Sequence, residues 1–232
     1  RLMAALEDVE ASPMLWSDGR PITKRGWFDT ECIALDGSLA YVGLERVNRI
    51  LRYDFSKGFT RALGEEVPLP QAARKLPYNK GLEALVAVPR GRPLAGTLIA
   101  VSERALDAQG NILGFMVGGK TPGQFSVRRS DDFDVSDATL LPSGDMLLLE
   151  RRFSWLGGVA VRIRRIASKS FAPDAVVDGP VIFFADLGYE VDNMEGIDAH
   201  VTAEGDTVVT LVSDDNFSMI QRNLLLQFTL VE

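Results

Sequence analysis

The amino-acid sequence predicts an all-β protein, a β-propeller with about four blades visible in the chain. Three observations carry this. Strand signals dominate, as short runs of Val, Ile, Leu, Phe and Tyr broken by Gly, Pro, Asp and Asn. The runs recur in a fixed order. Each copy of the order places an acidic side chain at the same two points.

The elements follow in sequence. Helical periodicity is poor throughout, and the best helical candidate, residues 2–10, is short and uncapped. Each copy then opens with an acid followed by alternating apolar positions: Glu31-Cys32-Ile33-Ala34-Leu35, Glu83-Ala84-Leu85-Val86-Ala87, Asp137-Ala138-Thr139-Leu140-Leu141 and Glu195-Gly196-Ile197-Asp198-Ala199. After a turn comes a nearly continuous apolar run ending in a second acid, at residues 39–45, 98–103, 146–150 and 208–214. Three of these acids precede an arginine: Glu45-Arg46, Glu103-Arg104 and Glu150-Arg151. A third strand is expected at 49–54, 111–116, 159–166 and 224–230, and a fourth, looser one near 66–69, 124–128 and 181–185.

The first acids stand 52, 54 and 58 positions apart (31 to 83, 83 to 137, 137 to 195). Four antiparallel strands with short turns need about 40 to 50 residues, the period of a propeller blade. A β-sandwich also yields many short strands, but gives no reason for an acid to recur in register. The repeats start near 29, 81, 135 and 193, within one domain spanning 1–232. The last copy stops after its third strand, and residues 2–15 look like a stray outer strand. Two arrangements are open: the N-terminal segment completes the last blade of a closed four-blade ring, or the chain begins inside a larger propeller whose first blades precede it.

In a blade, the first strand lines the channel and the second runs antiparallel to it. The start of one and the end of the other therefore lie about 5 Å apart at one end. Glu31, Glu83, Asp137 and Glu195 are expected to form an inner ring at the channel mouth, with Glu45, Glu103, Glu150 and Asp214 in a second ring around it. So many carboxylates cannot all stay ionised without counter-charge. Arginine is one source, and Arg46, Arg104 and Arg151 are adjacent in sequence. A bound cation is the other; calcium takes six to eight oxygen ligands from carboxylates, carbonyls and water. These four inner acids are the expected metal ligands. Zinc and copper are disfavoured because the chain has one histidine, His200, and one cysteine, Cys32.

Composition narrows the function classes. Hydrophobic residues make up 46% and charged residues 25%, which excludes a disordered chain. A net charge of −7 argues against nucleic acid, whose phosphates need a basic face. No apolar run reaches the roughly 18 residues of a membrane span. Cys32 alone can form neither an intrachain disulfide nor a cysteine zinc site. The first residue is Arg1 rather than Met, so a trimmed chain that has lost a signal peptide is expected.

Weaker candidates are set aside. The acidic stretch Asp131, Asp132, Asp134 and Asp137 lacks the glycine and terminal glutamate of an EF-hand and reads as a turn into the third repeat. Gly118-Gly119 and Gly157-Gly158 are turn signals without phosphate-loop context. A Ser–His–acid triad could use only His200, which lies beyond the start of an inner strand and away from the mouth.

Several stretches resemble the phytase-like family, described as having esterase-like activity of phytase. They are Asn79-Lys80-Gly81-Leu82-Glu83, the run from Asp134 to Thr139 with Leu149-Glu150-Arg151-Arg152, Asn193-Met194-Glu195-Gly196-Ile197, and Ser213-Asp214-Asp215-Asn216-Phe217-Ser218. The likeness runs from about Gly26 onward. It implies a bacterial, exported propeller, periplasmic or secreted, with a strand-rich region before the segment Gly26-Trp27-Phe28-Asp29 and a ring of five or six blades. Calcium-dependent propeller phytases offer an analogy in which carboxylate-held calcium binds phosphate and activates water.

Two functions follow as expectations. One is a calcium-assisted hydrolase of phosphate or carboxylic esters, acting on a small anionic or ester substrate. In it a further carboxylate serves as base, and Arg46, Lys80, Arg104 or Arg151 binds the anion. The other is a non-catalytic propeller that binds a ligand or protein partner at its mouth.

Overall fold

A computed structural model of the chain describes residues 9–154, 158–186 and 188–231. Alternating side chains decide how its strands stack. In β11 (Met146–Ser154), Met146 and Leu148 face one neighbouring sheet while Leu147 and Leu149 face the other. This is the period of two that a sheet buried on both faces requires.

Four sheets stand around one channel as propeller blades. Blade 1 holds β2 (Thr30–Asp36), β3 (Leu39–Leu44), β4 (Arg49–Asp54) and β5 (Leu63–Glu66), with the short β1 (Leu15–Trp16) on its outer edge. A single-turn helix, α1 (Gln71–Arg74), leads to blade 2: β6 (Leu82–Ala87), β7 (Thr97–Leu106), β8 (Ile112–Gly118) and β9 (Gly123–Val127). Blade 3 holds β10 (Asp134–Leu140), β11, β12 (Gly158–Ile166) and β14 (Val181–Ala185). Between its last two strands the chain contributes β13 (Val176–Val177) to the outer edge of blade 2, parallel to β9. Blade 4 holds β15 (Met194–Val201), β16 (Thr207–Ser213) and β17 (Leu225–Leu230).

Apolar layers fill the spaces between successive blades. Cys32, Ala34 and Ile50 meet Leu82, Leu85 and Phe115 between blades 1 and 2. Val86, Met116 and Phe125 meet Val135, Met146 and Leu148 between blades 2 and 3. Leu149, Val161 and Ile163 meet Ile197, Val209 and Leu211 between blades 3 and 4. At about 1.5–3 kcal/mol for each large apolar side chain removed from water, these layers are the main source of stability. Between blade 4 and blade 1 there is instead a cleft of about 420 Å³, bordered by Glu31, Cys32 and Ile33 on one side and Glu195, Gly196 and Val212 on the other.

The strand inventory departs from expectation in two ways. Among the described residues the blades have five, five, four and three strands, where the sequence predicts four, four, four and three. The N-terminal segment joins blade 1 instead of completing blade 4, with Leu15 opposite Leu63. Burial explains this choice. Met14, Trp16, Ile22 and Trp27 pack on the apolar face around Leu51 and Tyr53, and Trp16 meets Trp27 edge-on at 4.7 Å. The helical candidate at residues 2–10 falls largely outside the described residues, as does the first half of the stray outer strand expected at 2–15.

Candidate functional site at the channel mouth

Each inner strand slips by one residue against its partner at the same end of the channel. In blade 1 Thr30 pairs with Leu44 and Cys32 with Gly43, which leaves Glu31 as the extra residue of a β-bulge. Blade 2 does the same around Glu83, and blade 4 around Glu195. A bulge re-aims the side chain it carries. Here it turns three glutamates to one end of the channel.

The second acids meet them through the backbone. The N–H of Glu45 donates to the Asp29 carbonyl at 3.1 Å, that of Glu103 to Gly81 at 2.8 Å, and that of Asp214 to Asn193 at 3.1 Å. Glu45 also crosses to blade 2, where its Oε1 accepts the N–H of Gly81 at 3.1 Å. Only glycine permits this approach, since a Cβ at position 81 would stand 2.6 Å from Glu45 Cγ.

Blade 3 breaks the pattern. Val135 pairs with Glu150 and Asp137 with Leu149, so Ser136, not Asp137, is the bulged residue. Asp134 stands opposite Arg151, and Arg151 therefore occupies the place that Glu45, Glu103 and Asp214 hold elsewhere. Two of the expected ring members are displaced by this offset. Asp137 turns towards blade 4, where its Oδ2 accepts the Ile197 N–H at 2.9 Å; burial pushes its carboxyl up to about 7. Glu150 is fully buried between Arg162 and Arg164, at 2.8 and 2.7 Å.

The cavity at the mouth measures about 500 Å³. Seven acids line it (Asp29, Glu31, Glu45, Glu83, Glu103, Glu195 and Asp214) against three arginines, Arg46, Arg104 and Arg151. That surplus of negative charge favours a cationic occupant. Of the four expected anion-binding residues, Lys80 is exposed and does not line the cavity, whereas its neighbour Asn79 does. Arg46 is held by Asp29 at 2.5 Å. Arg104 lies 3.5 Å from Glu103 and 3.6 Å from Asp134. Arg151 is paired with Glu195, hydrogen-bonded to Asn193, and 3.8 Å from Glu103.

Crowding shows in the proton affinities. Burial first, and then the neighbouring Glu31, Glu103 and Glu45, push Glu83 up to about 9. Burial together with Asp29 and Glu45 pushes the more open Glu31 up to about 7. Burial raises Glu103 as well, opposed by Arg104 and Arg151. Two carboxylate groups converge closely enough to share an ion: Asp29, Glu31 and Glu45, and Glu45, Glu83 and Glu103, each with oxygens within 4.8 Å of one another. Glu45 belongs to both.

Several residues in or beside the mouth lie in the stretches that resemble the family but were not expected as site residues. Asp29, Asn79, Asn193 and Asn216 are polar and flank the repeated acids. Asp29 and Asn193 stand two positions before the bulge, a second repeat that alignment on acids alone passes over. His200 lies at the opposite end of β15, facing Val208 across the ladder.

Comparison with known proteins gives a family and distant structural likenesses. The family model described as phytase-like, esterase-like activity of phytase, matches residues 3–217. No curated protein shows significant similarity. Among solved structures, hydrazine synthase of Kuenenia stuttgartiensis is 11% identical, with a TM-score of 0.42, over 97% of this chain and 66% of its own. An α-L-arabinofuranosidase from Podospora anserina, solved with cellotriose, is 10% identical, with a TM-score of 0.49, over 94% of this chain and 68% of its own. An endo-arabinase from Bacteroides thetaiotaomicron is 11% identical, with a TM-score of 0.36, over 96% and 99%. This chain thus spans about two thirds of the first two.

Proposed function

Because the chain belongs to the phytase-like family, we propose that its mouth binds a hard divalent cation, calcium, and supports hydrolysis of a phosphate or carboxylic ester. The observation that carries this reading is the pair of carboxylate groups joined through Glu45. The donor set suits the ion. All five side chains offer oxygen, while the one imidazole is at the far end of β15 and the thiol of Cys32 is buried. Such a set favours calcium over zinc or copper.

Asp29, Glu31, Glu45, Glu83 and Glu103 would hold the cation. Bound there, it supplies a Lewis acid to a phosphoryl or acyl oxygen. Arg151 and Arg104 give the anionic end of the substrate hydrogen-bond donors fixed in direction. Glu195 belongs to neither carboxylate group and is held by Arg151 and by Asn193 at 2.7 Å. In this reading it takes a proton from an attacking water. The exported location that the family implies, periplasmic or secreted, fits such a site. Extracellular calcium modules work with dissociation constants on the order of 10⁻⁴–10⁻³ M.

The test is turnover of p-nitrophenyl phosphate and p-nitrophenyl acetate, with calcium and with excess chelator, beside calorimetric calcium titration. Hydrolysis that requires calcium and is lost in Glu83→Gln is the expected result. Hydrolysis that persists in chelator removes the cation from the reaction. Calcium binding without turnover on either ester supports the other reading, a propeller that binds a ligand at its mouth without catalysis.

A further inference from the structure

The mouth is built from four repeats, yet its charges are not distributed fourfold. Among the described residues, both carboxylate groups that can share an ion lie on blades 1 and 2. On the other half, the one-residue offset of blade 3 has replaced a ring carboxylate with Arg151. This arginine differs from Arg46 and Arg104, which follow a ring acid by one position and lie more exposed, 40% and 46% against 27% for Arg151. Arg151 stands in the ring itself. From there it pairs with Glu195 of blade 4 and reaches Glu103 of blade 2 at 3.8 Å.

We propose that Arg151 is a tethered counter-cation that fixes how many metal ions the mouth can hold. This rests on reading the mouth as a cation site. A guanidinium is charged at every working pH and, being part of the chain, is already in place when the protein folds. It satisfies Glu195, and in part Glu103, without any ion from solution. A divalent cation entering that half would have to displace it and leave a partly buried arginine without a partner, a large penalty. The soluble ion is thereby confined to blades 1 and 2. The blade 3 half keeps a donor facing the cavity for the anionic group of a substrate.

Calcium stoichiometry measured by isothermal titration on the whole chain tests this. Arg151→Gln is expected to bind one equivalent more than the parent protein, because Glu195, and in part Glu103, lose the cation they are paired with. Arg151→Lys and Arg104→Gln should keep the parent number. The double variant Arg151→Gln, Glu195→Gln should return to it, since the extra ion needs Glu195. Arg151→Glu, which gives blade 3 the residue type of blades 1 and 2, is the second route to the extra equivalent. If either single variant folds only when millimolar calcium is present, as read by circular dichroism, that supports the proposal as well. An unchanged count in both, or a failure of calcium to restore the fold, overturns it. A parent protein that binds no calcium, beside an Arg151→Gln variant that binds one, would sink the proposed function and leave the role of Arg151 standing.

Discussion

Blades 2 and 3 carry the same dipeptide in their second strands, acid then arginine, and use it in opposite ways. In blade 2, Glu103 lines the mouth and Arg104 lies at its rim. In blade 3, Glu150 lies in the core and Arg151 lines the mouth. The difference originates on the third strand. The blade 2 residue equivalent to Glu150 is Ser102, buried and donating its hydroxyl to the Leu113 carbonyl at 3.0 Å. In blade 3, β12 presents Arg162 and Arg164, and their guanidinium groups are what a buried carboxylate needs. Arg162 also stacks 4.2 Å over Phe133 and reaches Ser130 at 3.0 Å, tying down the crossing from blade 2. A residue's partner inside the sheet, not its resemblance to a repeat, decides which face it serves.

Breaking the two pairs separately sharpens this comparison. Glu150→Gln leaves two buried arginines underpaired and is expected to cost roughly 3–5 kcal/mol. Glu103→Gln, which relieves crowding at the mouth, should leave the urea midpoint unchanged or raise it. Equal losses in the two variants would show that Glu150 and Glu103 share one role.

Gly81→Ala attacks the seam where blade 1 reaches blade 2. The added methyl meets Glu45 Cγ at 2.6 Å and the Glu45 carbonyl oxygen at 2.9 Å. A cost of about 1–3 kcal/mol is expected for the forced shift, together with at least a tenfold loss of calcium affinity. Retained affinity would mean that Glu45 does not join the two carboxylate groups.

The pH dependence follows from Glu83 and Glu31. Their folded values are about 9 and about 7, against an ordinary 4.5. Between those limits the folded protein holds protons that the unfolded chain has released, so its stability falls as pH rises through the window. Thermal melts in chelator should show Tm dropping from pH 5 to pH 9, and Glu83→Gln should flatten the slope. A Tm that climbs over this range would contradict the crowding at the mouth. The smallest effect belongs to Lys80→Ala. It should move neither calcium nor phosphate binding and should change stability by less than about 0.5 kcal/mol.

Blade architecture was legible because buried strands announce themselves: residues 146–149 are apolar on both faces, and turns such as Asp36-Gly37 separate the runs. The clustering of Glu31, Glu83 and Glu195 followed from strand geometry alone. The offset in blade 3 was not legible, because Asp137 and Glu150 imitate the repeat in composition and only the Val135–Glu150 pairing reveals the slip. Nor was the sheet that the N-terminal outer strand, here β1, would join, nor β13. Each of these strands is two residues long and joins its sheet in parallel, across a separation that local patterning does not encode.

The second of these short strands bears on how the protein comes apart. Val176 and Val177 belong by sequence to blade 3 but lie along Ser126 and Val127 of blade 2, and Val177 is buried in the layer between the two. Backbone bonds from Ser126 to Ala175 and from Arg128 to Val177, at 2.8 and 2.9 Å, complete the stitch. Neither blade can peel away without breaking the other's edge, so local opening has to take both together. Hydrogen exchange should report one protected unit spanning β7–β12, with blade 4, whose outer strand has no such stitch among the described residues, opening before it.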